Sequence, residues 1–141
     1  MGVTEIDSGI LFGLITMTSW GIWILLGNGA SESIDPRTAA AITYLVAGLL
    51  ALGSIAVSDA SIAVTAKGGL LASAAGLFAG IGLISMYIGF SQASTTVVST
   101  LGAMYFVVAA ILGIVILGDD VTITRFTGIA FACLSIVLLT R

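Results

Sequence analysis

The side chains of this sequence that could contact a solute are hydroxyls and aromatic rings, and they recur at helical spacing. Positions separated by four, three and four residues share one face of a helix, and this spacing joins Thr16, Trp20, Trp23 and Gly27. Aromatic rings can stack on a solute or cover its apolar parts, while hydroxyls fix its orientation. The chemistry that these residues offer is the binding of a small organic molecule.

A second face of the same kind occurs later in the chain. The spacing of four, three and four residues is repeated by Thr95, Ser99, Gly102 and Phe106. Tyr87 and Tyr105 add further rings, each with a polar hydroxyl end. We therefore predict a cavity whose substrate-binding residues are Thr16, Trp20, Trp23, Tyr87, Ser99, Tyr105 and Phe106.

A structural interpretation of the same residues stays open. Tryptophan and tyrosine collect at membrane interfaces, and hydroxyls on helices often bond to carbonyls of their own helix. An interfacial belt is the favoured interpretation for Tyr44 and Tyr87, and it is an alternative for Trp23. Trp20 and Tyr105 lie deeper than a belt should, so cavity and packing are equal alternatives for them.

Charged residues are scarce, which argues against most catalytic and nucleic-acid-binding functions. The chain has four basic and seven acidic residues, a net charge of -3 and no His, so it lacks the basic footprint that nucleic acids require. A single cysteine, Cys133, leaves no zinc site and no intrachain disulfide. No pair of titratable groups sits where it could share a proton with a substrate. We expect no enzyme activity, no cofactor and no metal.

The same scarcity predicts a membrane protein. A soluble domain carries about 25% charged residues, whereas this chain carries 8%. A transmembrane helix needs about 20 mainly apolar residues, and apolar runs of this length cover residues 8–27, 38–58, 69–90, 94–117 and 121–140. The sequence therefore predicts an all-α bundle of five transmembrane helices, in one domain over residues 1–141, with the N and C termini on opposite sides. Two acidic residues precede the first run where a signal peptide would carry Lys or Arg, so we expect this run to be retained.

The connections between the runs hold most of the charges and several helix signals. Pro36 suits the first turn of the second helix, where its missing N–H is not needed. The turn around residues 91–93 is short, which predicts a tight antiparallel hairpin of the third and fourth helices. Asp119 and Asp120 are placed to cap the positive N-terminal end of the last helix.

The basic residues are divided evenly between the two membrane faces. We call side one the face of the N-terminus and side two the face of the first connection, around residues 28–37. Lys67 and Arg125 fall on or near side one, and Arg37 and Arg141 fall on side two, so the positive-inside rule has almost nothing to act on. Such a chain could insert both ways and form an antiparallel homodimer. The candidate residues lie mostly toward side two, so we expect the cavity to open there.

Small residues recur on the third run. Ala72, Gly76 and Gly80 are spaced every four residues, a pattern that lets helix backbones approach closely in lipid. Static packing is the favoured interpretation, and a sliding interface between moving helices is the alternative.

Four stretches resemble the EamA-type domain of the drug/metabolite transporter superfamily. Residues 101–122, LGAMYFVVAAILGIVILGDDVT, are similar to the penultimate helix and following turn of that domain. Residues 87–98 resemble its tyrosine-containing third helix and the short turn after it. Ser19-Trp20-Gly21 matches the Trp-Gly of its first helix, and Arg125-Phe-Thr-Gly128 matches its fifth. Phe106 stands where the family usually has proline, and Asp119 stands for the usual Glu.

The resemblance implies a carrier built from two inverted five-helix halves, of which this chain supplies one. It therefore implies a homodimer or a pair with another EamA-like half, and inverted repeats with a site near the midplane are what alternating access requires. By position it implies Trp20, Tyr87 and Phe106 as cavity residues and Asp119 as a structural cap.

Together these observations predict the function. We expect a carrier in the cell (plasma) membrane that exchanges or exports a small neutral or zwitterionic organic metabolite, because charged groups are missing from the cores of the apolar runs. The alternative is a non-transporting membrane subunit that pairs with another five-helix protein.

Overall fold

The structure is a computed structural model that describes residues 8–58, 63–118, 120 and 122–139. All regular secondary structure in these ranges is helical, which confirms the predicted all-α class. The helices are α1 (Ser8–Ser33), α2 (Pro36–Ala56), α3 (Ala66–Phe90), α4 (Thr95–Ala103), α5 (Tyr105–Leu112), a π-helical turn (Gly113–Leu117) and α6 (Ile123–Leu139).

The chain divides after Ser91 into two compact units. The first unit contains α1, α2 and α3, which contact one another pairwise. The second contains α4, α5, the π-helical turn and α6, and here α4 packs on α6.

Four helical segments of the described chain are long and apolar enough to cross a membrane. They are Ser8–Ser33, Pro36–Ala56, Ala66–Phe90 and Thr95–Ile116. The predicted fifth run also forms a helix, but α6 has 17 residues and its apolar part, Phe126–Leu139, is shorter than a full span. A fifth crossing, and with it the placement of the termini on opposite sides, stays a prediction.

The first helix is longer than predicted, because it continues to Ser33 rather than ending at Gly27. Polar side chains of this last part bond within the helix, as Ser31 Oγ donates to the Gly27 carbonyl at 2.9 Å and Asn28 Nδ2 donates to Glu32 Oε1 at 2.9 Å. At 1.5 Å per residue, α1 is about 39 Å long, which exceeds the roughly 30 Å of hydrocarbon. The polar end of α1 can therefore project from the apolar layer.

The start of α2 is fixed by a side-chain cap. Asp35 Oδ1 accepts hydrogen bonds from the backbone N–H groups of Arg37 at 3.0 Å and Thr38 at 3.1 Å. Pro36 is the first helical residue, as predicted. The Asp35 carboxylate also lies at the positive end of the helix dipole. Asp35 therefore stabilises the start of α2 both by hydrogen bonding and by its charge.

The predicted fourth helix, residues 94–117, is interrupted. It stops at Ala103 and resumes at Tyr105. Around Met104 the backbone N–H groups bond to the carbonyl three residues earlier instead of four. The Met104 N–H donates to the Leu101 carbonyl at 3.1 Å, and the Val107 N–H donates to the Met104 carbonyl at 2.9 Å. The end of the segment widens into the π-helical turn, after which Gly118 adopts a φ of +73°. The predicted fourth span is confirmed as one apolar segment, Thr95–Ile116, in which local 3₁₀-type bonding breaks the α-helical ladder without a proline.

Burial in the first unit is confined to one end of its helices. The buried residues of this unit are Gly27, Ser31, Ala39, Ala40, Leu83, Tyr87 and Phe90. They come from the end of α1, the beginning of α2 and the end of α3, which we call the closed end. Residues 8–22, 44–56 and 66–79 are exposed, apart from a half-buried Gly69, and we call this the open end.

We predict that Asp35→Ala lowers the free energy of unfolding by about 1 kcal/mol, because two backbone donors lose their acceptor. Unfolding by sodium dodecyl sulfate, followed by far-ultraviolet circular dichroism, measures this change. Asp35→Asn is the control and should keep most of the stability. Equal stability of Asp35→Ala and the unmodified chain would show that the cap does not stabilise α2.

Candidate functional site

Tyr87 is the centre of the candidate site. Leu83, Tyr87 and Phe90 follow one another at helical spacing on α3 and form its inward face at the closed end. Tyr87 is 1% exposed, and its neighbours in the core include Ala39 and Ala40 of α2. These two alanines leave room for the ring, so the small residues of α2 are what allow Tyr87 to lie between the helices.

The hydroxyl of Tyr87 bonds to a second helix. Tyr87 Oη lies 2.7 Å from Thr43 Oγ1 of α2, and either oxygen can be the donor. A buried polar group needs a partner, because an unpaired one carries the full cost of desolvation. The pair therefore satisfies the polar end of the ring and links α3 to α2.

Helix α1 approaches Tyr87 through a glycine, Gly27. A Cβ on Gly27 would lie 3.0 Å from Tyr87 Oη and 3.2 Å from Cζ, closer than such atoms normally come. A methyl group at position 27 would therefore require Tyr87 or α1 to shift by a few tenths of an ångström.

Four rings follow one another along the first unit, and we call them the aromatic series. The ring centroids of Trp20 and Trp23 are 6.3 Å apart with planes at 61°, those of Trp23 and Tyr87 are 6.1 Å apart at 43°, and those of Tyr87 and Phe90 are 6.1 Å apart at 53°. These distances and tilts are typical of favourable aromatic pairs. The series runs from the buried Phe90 to Trp20, which is 50% exposed.

The rings of Trp20, Trp23 and Tyr87 follow one another in the structure, and their joint contact with a solute stays a prediction. Tyr87 is enclosed by the first unit and lies in the last turn of α3, so an interfacial depth for it also stays a prediction. Trp23 is half-buried and packs against the same core. Tyr44 is exposed, so an interfacial position for it stays a prediction.

The predicted hydroxyls bond to their own helices. Thr16 Oγ1 donates to the Phe12 carbonyl at 2.9 Å and Ser99 Oγ donates to the Thr96 carbonyl at 3.2 Å. Each hydroxyl has thereby used its proton and keeps its lone pairs as acceptors. Thr16 lies one turn before Trp20 on α1 and is exposed.

The remaining predicted residues belong to the second unit. Ser99 is half-buried on α4, and Tyr105 and Phe106 are exposed at the start of α5, directly after the break. Asp119 lies outside the described residues. Asp120 is exposed and precedes α6, which begins at Ile123, so capping by these two aspartates stays a prediction.

The opening of a cavity toward side two stays a prediction. In the first unit, side two corresponds to the closed end, where Gly27, Ala40 and Tyr87 are buried, and the exposed residues lie toward side one. The rings of Trp23, Tyr87 and Phe90 pack on one another at the closed end.

Two residues of this arrangement were not predicted as site residues. Thr43 was not predicted because its partner, Tyr87, is 44 positions away in the sequence. Gly27 was predicted on the same face of α1 as Trp20 and Trp23, but no contact with Tyr87 was predicted for it. A signal was present for Thr43, since Ala39, Ala40 and Thr43 form one face of small residues on α2. Among the described residues, no group of three or more Cys, Asp or Glu side chains is placed to hold a metal ion.

Comparison with known proteins agrees with the fold. Residues 7–141 match the EamA-like transporter family. The chain belongs to the EamA-like transporter family. It is therefore an integral membrane protein of a transporter family, and the apolar helices of both units are the helices of an EamA domain. Searches of curated proteins and of solved structures gave no significant match.

We predict that Gly27→Ala destabilises this EamA domain by about 1–3 kcal/mol, because the added methyl group overpacks the site against Tyr87. Gly29→Ala is the matched control on the same helix, since a Cβ there meets nothing within 4 Å. It should be neutral or stabilising by up to about 1 kcal/mol through helix propensity. Detergent unfolding of the two variants measures the difference, and equal stability would contradict the close contact.

Proposed function

We propose that the chain is a carrier for a small neutral or zwitterionic organic solute and that the exposed end of the aromatic series is part of its binding surface. The observation that carries this proposal is the position of Trp20. This residue lies at the middle of the 26-residue α1, and its ring is half-exposed. Belt tryptophans lie near helix ends, so a half-exposed indole at this depth favours contact with a solute or a partner helix.

The polar groups among the candidate residues favour solutes that donate hydrogen bonds. Thr16 and Ser99 have given their protons to backbone carbonyls, so each can still accept one. The faces of aromatic rings also carry partial negative charge. A solute with N–H or O–H groups and an apolar or ring-shaped body matches both features.

The charge distribution favours a solute without net charge. In the four candidate spans, the charged residues are Glu32, Arg37 and Lys67, and each lies within the first or last turn of its helix. An isolated ion moved to the bilayer centre would need a partner of opposite charge. A zwitterion carries both charges itself, so it needs no charged partner from the protein and is consistent with this arrangement.

We further propose that the working form is a homodimer in the plasma membrane, with the two copies in opposite orientations. One EamA domain supplies half of the inverted pair that alternating access requires, and the even division of the four basic residues permits both orientations. Gly76 and Gly80 have nothing within 4 Å of where a Cβ would be, so this face of α3 is available for close approach by another helix. Pairing with a different EamA-like half is the alternative outcome.

The second candidate function is a non-transporting subunit. It is favoured by the hydrogen bonds of Thr16 and Ser99 to their own helices, which are the bonds expected if these hydroxyls serve packing alone. A measurement of flux separates the two functions.

We predict that proteoliposomes containing the chain take up at least one member of a panel of radiolabelled amino acids, nucleosides and sugars. Trp20→Ala and Tyr105→Ala should each lower this uptake by about tenfold or more, which corresponds to about 1.4 kcal/mol. Phe78→Ala, which removes an exposed ring from α3, is the control and should leave uptake within about twofold of the unmodified protein. No uptake of any solute by correctly folded protein would favour the subunit function, and equal losses in all three variants would contradict the assignment of the site.

The orientation proposal has its own test. We predict that epitope tags at either terminus are accessible on both sides of the membrane, in similar proportions, because the basic residues do not favour one orientation. Protease protection in spheroplasts and inverted vesicles measures the proportions. One fixed orientation of every copy would exclude the antiparallel homodimer and leave a pair with a different half.

A further inference from the structure

We infer that Gly27, Thr43 and Tyr87 form a latch that holds the closed end of the first unit shut, with Gly27 and Thr43 acting as positioning residues for the Tyr87 ring. The inference rests on the proposed function only in that opening of this end would belong to a transport cycle. The latch itself is a property of the first unit and can be measured without transport.

Burial in the first unit is concentrated around Tyr87. The three helices are buried against one another where Tyr87 lies, and residues 8–22, 44–56 and 66–79 are exposed, apart from the half-buried Gly69. Tyr87 is the large side chain that is most completely buried among the described residues. Its ring contacts or bonds to groups on both other helices of the unit, so its displacement would release α1 and α2 together.

A hydrogen bond between two hydroxyl groups holds the Tyr87 ring. Tyr87 Oη and Thr43 Oγ1 are both neutral and lie 2.7 Å apart. When such a pair separates, the threonine hydroxyl can turn to a carbonyl of its own helix, as those of Thr16 and Thr18 do on α1. The bond therefore holds one conformation without making the other one inaccessible, as a bistable element requires.

Gly27 positions the Tyr87 ring from the side of α1. The Tyr87 ring lies so close to α1 that a methyl group at position 27 would meet Oη and Cζ at 3.0 Å and 3.2 Å. The backbone of α1 thus forms the wall against which the ring rests. Thr43 fixes the hydroxyl from the opposite helix, so the ring has one position in the closed arrangement.

The experiment measures access to the closed end directly. In a Cys133→Ser background, Ser31→Cys places a thiol at a buried position of the closed end that lies near the polar end of α1. The probe is a membrane-impermeant maleimide, which reacts with the solvated thiolate. Labelling is followed over time in reconstituted protein.

We predict that Tyr87→Phe and Thr43→Val each increase the labelling rate of the closed-end thiol about fivefold, which corresponds to about 1 kcal/mol. Thr43→Ser, which keeps a hydroxyl, should be labelled at a rate close to that of the unmodified protein. Tyr44→Phe is the matched control, because it removes an exposed tyrosine hydroxyl next to Thr43 and should leave the rate unchanged.

A second reporter separates opening from general loosening. Gly53→Cys places a thiol at the open end, and its labelling should stay the same in all of these variants. The latch is overturned if Tyr87→Phe labels like the unmodified protein, if Tyr44→Phe increases labelling equally, or if the open-end thiol accelerates to the same extent. Unchanged flux or absent flux in these proteins bears on the carrier function alone, so the two proposals fail independently.

Discussion

The first unit depends on the close approach of three helices around the Tyr87 ring. Helices in hydrocarbon gain little by covering apolar surface, because lipid tails are as apolar as leucine. Association must come from close packing and from hydrogen bonds between helices. Here Gly27, Ala39 and Ala40 provide the close approach, and Thr43 provides the hydrogen bond. The aromatic series then extends from this contact toward the exposed ring of Trp20.

This dependence explains why burial ends so abruptly along the helices. Away from the closed end, α2 and α3 present leucine, valine and phenylalanine side chains such as Leu50 and Phe78, which are exposed. A soluble protein could not leave these side chains uncovered, whereas lipid or a second membrane chain covers them without cost. The unit is therefore stabilised at one end, and the opposite end presents its side chains to lipid or to another membrane chain.

The sequence predicts the parts of this structure that depend on local composition. Apolar runs located four long helices, and the cap at Asp35 and Pro36 follows from residue types alone. The end of α1 was misplaced, because Asn28, Ser31 and Glu32 are typical of connections, yet they bond to one another and to the backbone inside the helix. The contact of Tyr87 with Thr43 could not be predicted by periodicity, because no local rule relates residues on different helices.

The helix is interrupted at Met104 without the proline of the EamA resemblance. The EamA resemblance places a proline where this chain has Phe106, and proline bends a helix by removing one backbone donor. In this chain the donors remain, but those of Met104 and Val107 bond three residues back instead of four. The π-helical turn at Gly113–Leu117 changes the bonding of the same segment further along. The altered bonds keep backbone groups paired, as the bilayer requires. A neutral hydroxyl pair in the first unit and a rebonded backbone in the second thus both satisfy polar groups without charge, in a chain that keeps its charges near the helix ends and in the connections.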